Sequence, residues 1–233
     1  MGMIIKGLQK LTLIDYPDKV ACTIFTFGCN FRCGYCHNPE LIVEDETPEI
    51  KKEDILNFLK EREGFLDAVC VTGGEPTINK ELPVFISEIK SLGYLVKLDT
   101  NGFNPEMIED LIDKKLIDYI AMDIKAPIEF YDEVARVKVN KDAIKKSVEI
   151  IKNKMGSNYE FRITVVPGLF KEEHIKMIGR WLGSIKNFYI QQFRNIRVLD
   201  EEFEKIQPFK KEDLEKFCNM FKEYFECCGI RGL

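Results

Sequence analysis

Along the chain, short runs rich in Val, Ile, Phe and Tyr alternate with longer stretches in which apolar residues recur at helical spacing. The runs cover residues 20–27, 66–72, 94–99, 117–124, 159–166 and 188–193, each short enough for a buried strand. Helical patterns occupy residues 51–63, 80–92, 105–115, 141–154 and 171–181, and 211–226 closes the chain. In 51–63, for instance, Ile55, Leu56, Phe58 and Leu59 fall on one side and Lys and Glu on the other. Six strand–helix units in strict succession predict a parallel sheet with right-handed crossovers, either doubly wound or a partial barrel.

The placement of the chemically unusual residues favours the barrel. Cys29 follows the first run, Gly73-Gly74-Glu75-Pro76 the second, and Asp99-Thr100-Asn101-Gly102 ends the third. Asp123 and Lys125 end the fourth, Pro167-Gly168 the fifth, and Gln192 to Arg194 the sixth. In a barrel all these carboxyl ends share one mouth, where an active site belongs. The expected fold is therefore α/β: a partial (β/α)6 TIM-like barrel of parallel strands over 20–233. Residues 1–19 are expected as a short N-terminal extension packed on it, and 211–226 as a C-terminal helix.

Composition narrows the class. A chain of 233 residues fits one generous domain, or at most two small ones. Thirty-four Lys+Arg against 39 Asp+Glu give a net charge of −5, which supplies no broad cationic field and sets nucleic acid aside as a main partner. Residues 1–10 lack the apolar core of a secretory signal, and no apolar run approaches the ~18 residues of a membrane span, so a cytoplasmic protein without a membrane partner is expected. Its eight cysteines should then be thiols or metal ligands rather than disulfides. Cys22 and Cys70 sit in apolar runs, and Cys218, Cys227 and Cys228 in the C-terminal helical region; these five read as small buried or half-buried side chains.

The remaining three crowd into Phe27-Gly28-Cys29-Asn30-Phe31-Arg32-Cys33-Gly34-Tyr35-Cys36-His37-Asn38-Pro39. Three thiolates on one short loop can wrap a single metal centre, and Gly28 and Gly34 permit the tight backbone. A 4Fe–4S cluster ordinarily takes four cysteines, so three leave one iron open to a substrate. The competing reading is a structural zinc with His37 as fourth ligand, which would make the chain a zinc-binding interaction module. Structural zinc sites usually draw on two separated pairs, and no second pair exists here. His37 then reads as a packing residue and His174 as a helix-surface residue.

Cys-x3-Cys-x2-Cys, with Tyr35 just before the third cysteine, resembles the signature of radical S-adenosylmethionine enzymes. The resemblance implies a 4Fe–4S cluster on Cys29, Cys33 and Cys36 whose open iron binds S-adenosylmethionine. One electron from the cluster then gives methionine and a 5′-deoxyadenosyl radical, and the enzyme is oxygen-sensitive. By the same resemblance Tyr35 borders the cofactor, and Gly73-Gly74-Glu75 matches the segment that holds the methionine amine. Asp99, with Thr100, and Asp123 match acids that help hold a monovalent cation. Lys125 matches a cofactor-contacting lysine, Arg162 an arginine near it, and Val165 a residue close to adenine. Arg194 stands where some relatives carry a ribose-contacting histidine. Taken alone, Asp123-x-Lys125 also reads as a buried ion pair that stabilises the fold.

Gly7 to Pro17, the loop ending Cys36-His37-Asn38-Pro39-Glu40, and the strand-end motifs together resemble the glycyl-radical enzyme activating branch, near anaerobic ribonucleoside-triphosphate reductase activating proteins and pyruvate formate-lyase activating enzymes. That implies a glycyl-radical enzyme as protein substrate and a flavodoxin- or ferredoxin-like electron donor. No catalytic side chain beyond the cluster and cofactor is assigned. A radical enzyme acting on a small molecule or RNA base is the alternative reading.

Overall fold

The computed structural model describes residues 2–43 and 47–233. Its sheet has eight strands in the order β1 to β8, mostly parallel and not closed. β1 (Ile5–Thr12) runs antiparallel to β2 (Ala21–Thr26), which pairs in parallel with β3 (Ala68–Gly73), and β3 with β4 (Leu95–Thr100). β5 (Tyr119–Asp123) follows; then β6 (Tyr159–Val165), β7 (Asn187–Gln192) and β8 (Cys227–Arg231) pair in parallel. The expected α/β class holds, and all six expected strands form, each within two residues of its expected bounds.

Two strands escaped the sequence. β1 lies in the segment expected only as an extension; its Ile5-to-Thr12 stretch carries Lys6, Gln9 and Lys10 and mostly half-buried or exposed positions, so it lacks the apolar density of an inner strand. β8 begins at Cys227, where a helix was expected to be ending. The helix stops earlier, because α7 (Lys211–Phe221) is followed by a turn before Phe225.

Helices α1 (Lys52–Glu61), α2 (Leu82–Ser91), α3 (Pro105–Asp113), α5 (Lys141–Lys154) and α6 (Glu172–Leu182) fall where the apolar periodicity predicts them, and a short α4 (Tyr131–Ala135) adds to them. Their starts have local causes. Asn104 caps α3, its side-chain oxygen accepting from Met107 N at 3.2 Å with Pro105 in the first turn, and Asn140 caps α5 by accepting from Ala143 N at 3.2 Å. α6 buries Ile175, Ile178 and Leu182 on one stripe, the spacing of a core-facing helix. Among the described residues no helix is long and apolar enough to cross a membrane.

The chain divides into two compact units, one comprising residues 1–30, 40–100 and 104–120, the other 31–39, 101–103 and 121–233. In the first, Tyr16 packs with Ala21, Ala68 and Cys70 under Leu95 and Tyr119. In the second, Phe188 meets Phe221 and Phe225 with ring centroids 4.6 and 4.7 Å apart. None of the eight cysteines, all among the described residues, is joined in a disulfide. Cys22, Cys70, Cys218 and Cys228 are buried as expected, but Cys227 is exposed, because the alternation of β8 turns it outward.

Candidate functional site

In the first unit, β3 ends in the Gly73-Gly74-Glu75 turn, which is pinned to the start of the cysteine loop. Gly74 N–H donates to Thr26 O at 3.0 Å and Glu75 N–H to Gly28 O at 2.8 Å. The approach is close enough that a Cβ on Gly73 would lie 2.2 Å from Thr26 O, and one on Gly74 2.0 Å from Gly28 O. Glycine is needed here for space. Gly73 also sits at φ 135°, where L side chains are strained.

Glu75 is fully buried. Its Oε1 accepts from Thr77 N at 3.0 Å, Thr77 Oγ1 at 2.5 Å and Thr100 Oγ1 at 2.8 Å. That oxygen therefore organises the turn and ties β3 to β4. Thr100→Val keeps the shape of the side chain and removes one of the three donors. It is expected to cost about 1–2 kcal/mol and to lower the melting temperature of the iron-free protein by about 4 °C in calorimetry. An unchanged melting temperature would mean that the Thr100 hydroxyl carries no weight there.

Asp99, half-buried on β4, forms an ion pair with Lys97, whose side chain is only 1% exposed. Sequence reading missed Lys97. The signal was present: a lone lysine inside an apolar strand, two residues before an aspartate and so on the same face. Cys29 lies half-buried in this unit, directly after Gly28.

In the second unit the loop around Cys33 is fastened on several sides. Cys36 N–H donates to Cys33 O at 3.0 Å and Arg32 N–H to Ala135 O at 2.8 Å. Leu199 N–H reaches Cys36 O at 3.0 Å and Asp200 N–H reaches Gly34 O at 2.9 Å. Gly34 fits under Phe203 and Arg136, where a Cβ would be 2.5 Å from the Phe203 ring. Cys33 is buried and Cys36 half-buried. Burial pushes the Cys33 thiol up, against the pull of the Lys125 charge. Tyr35 is buried too, and among the described residues its hydroxyl has no hydrogen-bond partner. An unsatisfied buried hydroxyl costs free energy and marks a place where a bound group would fit.

Asp123 and Lys125 are joined by Arg162. Lys125 Nζ lies 3.1 Å from Asp123 Oδ2, and Arg162 Nε donates to Asp123 Oδ1 at 2.8 Å. The ion pair expected of Asp123-x-Lys125 is thus present, with a third member. Tyr131, which sequence reading missed, accepts from Lys125 N at 3.2 Å and so fixes the end of β5.

The other expected residues are placed less tellingly. Val165 ends β6 fully buried. Arg194 is exposed, beyond the end of β7, and its backbone N–H meets His37 Nε2 at 3.4 Å. His37 is exposed and packs on Phe193, as expected of a packing residue. His174, expected on a helix surface, is instead buried and stacked on Phe130 at 5.1 Å, because its face of α6 points into an aromatic cluster with Phe170.

Among the described residues no group of three or more His, Cys, Asp or Glu is gathered to hold a metal ion. The assignment of the three thiols as ligands therefore rests on the chemistry of the donor set, three cysteines on one loop beside an unsatisfied buried tyrosine, and on kinship.

Kinship is direct. The Radical SAM superfamily signature matches residues 23–180. The chain belongs to this superfamily, which implies a 4Fe–4S cluster and S-adenosylmethionine, and it is a radical enzyme of the oxidoreductase class. Over its whole length it is 36% identical, across 240 aligned positions and 98% of the relative, to a candidate glycyl-radical enzyme activating enzyme of Methanocaldococcus jannaschii. It is 25% identical over 241 positions, 95% of this chain and 98% of the relative, to the pyruvate formate-lyase-activating enzyme of Clostridium pasteurianum. These relatives place it in the glycyl-radical activating branch. Its fold is also similar to that of SuiB from Streptococcus suis, with a TM-score of 0.65 and 16% identity over 88% of this chain. The chain spans 47% of SuiB, about half its length.

Proposed function

We propose that this protein is an activating enzyme that reductively cleaves S-adenosylmethionine and removes a hydrogen atom from a glycine of a partner glycyl-radical enzyme, with anaerobic ribonucleoside-triphosphate reductase as that partner. The observation that carries the reading is the second unit's constellation, in which Cys33 and the unsatisfied Tyr35 hydroxyl share the electrostatic neighbourhood of Lys125 and Asp123. Support for the activating role comes from the relatives named for it.

In this reading Cys29, Cys33 and Cys36 hold the cluster, whose chemistry is to supply the electron that cleaves S-adenosylmethionine and so provides a hydrogen-abstracting radical. The protein's own residues bind and orient. Gly73 and Gly74 present backbone to the methionine amine, and Glu75 keeps that backbone fixed. Lys125, held by Asp123, meets the anionic end of the cofactor, with Arg162 beside it. Tyr35 and Val165 border its apolar parts, and Arg194 is a candidate for the ribose. Of the two carboxylates matched to a monovalent cation, Asp99 already has Lys97 as protein cation, and Asp123 already has Lys125 with Arg162. The electron donor is flavodoxin- or ferredoxin-like, and the setting cytoplasmic and anaerobic.

The test is anaerobic reconstitution with iron and sulfide, reduction, and assay for 5′-deoxyadenosine against the iron-free protein. Mixing with the reductase should then give a glycyl doublet in electron paramagnetic resonance. Product without a doublet from any glycyl-radical enzyme would move the assignment to a small-molecule substrate. No product at all would end it.

A further inference from the structure

Glu160 is a carboxylate with no exposed surface, at the second position of β6. Its partner comes from the last strand of the fold. Arg231 closes β8, in register with Gln191, and its side chain reaches back across the Tyr189 ring at 3.9 Å from the centroid. From there its guanidinium forms a fork with Glu160, Nη1 to Oε1 at 2.5 Å and Nη2 to Oε2 at 2.7 Å. The arrangement is built for this purpose by a small residue. Gly229 sits opposite Tyr189, and a Cβ there would be 2.7 Å from the ring, so only glycine lets the ring lie in that place.

Glu160 and Arg162 are two residues apart and share a face of β6. Arg162 Nη1 is 3.8 Å from Glu160 Oε1, while its Nε serves Asp123, which in turn holds Lys125. Charges alternate without a break along this chain: Arg231, Glu160, Arg162, Asp123, Lys125.

We propose that Arg231 is a positioning residue: by occupying the Glu160 carboxylate it keeps Glu160 from drawing Arg162 away, so that Arg162 Nε stays on Asp123 and Lys125 stays aimed at the cofactor. This rests on the reading of Asp123, Lys125 and Arg162 as cofactor-site residues. The physical reason is competition for Arg162. A buried carboxylate occupied by a bidentate guanidinium needs no further full partner, and leaves Arg162 to Asp123. With Arg231 removed, Glu160 keeps its buried charge and draws Arg162 to itself. A lysine cannot substitute well, because a single ammonium head does not match two oxygens at once.

The test compares S-adenosylmethionine affinity by equilibrium dialysis in the reconstituted enzyme and its variants. Arg231→Met is expected to weaken binding about tenfold, the usual scale for an outer partner of a site. Adding Glu160→Gln to Arg231→Met removes the charge that pulls on Arg162, and is expected to restore affinity to within about threefold of the parent. In the iron-free protein, nitrogen NMR should show faster solvent exchange of the Arg162 Nε–H, assigned by its loss in Arg162→Lys, in the single variant and not in the double. A purely structural role would lower the melting temperature in both and give no rescue, which would overturn the proposal. Should Arg231→Met not fold, Arg231→Lys serves the same comparison. Lys125→Met separates the two levels. If it loses binding while Arg231→Met binds like the parent, the positioning role alone falls; if it too binds like the parent, the reading beneath falls with it.

Discussion

Gly74→Ala is expected to destabilise the protein by about 3 kcal/mol, the upper range for inserting a methyl where nothing can yield. The added Cβ would stand 2.0 Å from the carbonyl oxygen of Gly28, 2.5 Å from its carbon and 3.1 Å from the nitrogen of Cys29. All three are backbone atoms, so no side chain can rotate away. Relief requires the Gly28–Cys29 peptide to move, which breaks the bond from Glu75 N–H to Gly28 O. In calorimetry of the iron-free protein this should appear as a fall of about 9 °C. It should also lower iron content after reconstitution, because the peptide that must move carries Cys29. Gly64→Ala is the control: Gly64 has φ 77°, but a Cβ there would meet nothing within 4 Å among the described residues beyond its chain neighbours, so it isolates backbone strain from collision. That change should cost only about 1 kcal/mol. A loss at Gly74 no larger than the loss at Gly64 would show that the close approach of Gly74 to the cysteine loop costs nothing.

What could be read from the sequence, and what could not, follows from which forces act locally. The six inner strands announce themselves because a strand covered on both faces needs a near-continuous apolar run, and such runs have few other uses. β1 and β8 escape because each edge strand has only one neighbour and keeps Lys, Gln, Gly or Arg in its run. The strand-end motifs were legible as unusual residues in apolar settings: Asp99, Asp123, Lys125 and the Gly73-Gly74 pair. Their partners were not. Lys97 and Glu160 stand in strands already counted as apolar, and each is found only by asking which charge answers the aspartate or arginine two places on. Arg231 is 71 residues from Glu160 in sequence, and no local pattern links them. His174 failed for a related reason: a polar residue on a helix is assigned outward by default, and only the packing of Phe130 and Phe170 around it turns it inward.

Asp123→Asn should be nearly as damaging as the glycine change, and its pH dependence identifies the cause. The carboxylate accepts from Arg162 Nε at 2.8 Å and Lys125 Nζ at 3.1 Å, with 29% of the side chain exposed. Burial by itself would push its pKa up, but the Arg162 and Lys125 charges outweigh burial and hold it well below the usual carboxylate range. For Lys125 burial would lower the pKa, and the Asp123 charge more than reverses this, holding it well above the usual value. A depressed carboxylate contributes stability that is complete above its unfolded value, about 3.9, and is lost as pH falls through the folded one. A raised lysine contributes stability that is complete below its unfolded value, about 10.4, and is lost as pH rises through the folded one. Between roughly pH 5 and 9 both contributions are therefore flat. The asparagine variant leaves two cations facing a neutral amide, and is expected to lose about 3 kcal/mol in urea unfolding across that whole interval. Below about pH 4 the gap should narrow, because the unfolded parent begins to take up a proton that its folded carboxylate still refuses. A gap that stays constant down to about pH 2 would mean that Asp123 titrates as an ordinary carboxylate, with the same pKa folded and unfolded. Arg162 and Lys125 would then be holding each other's surroundings and not its charge.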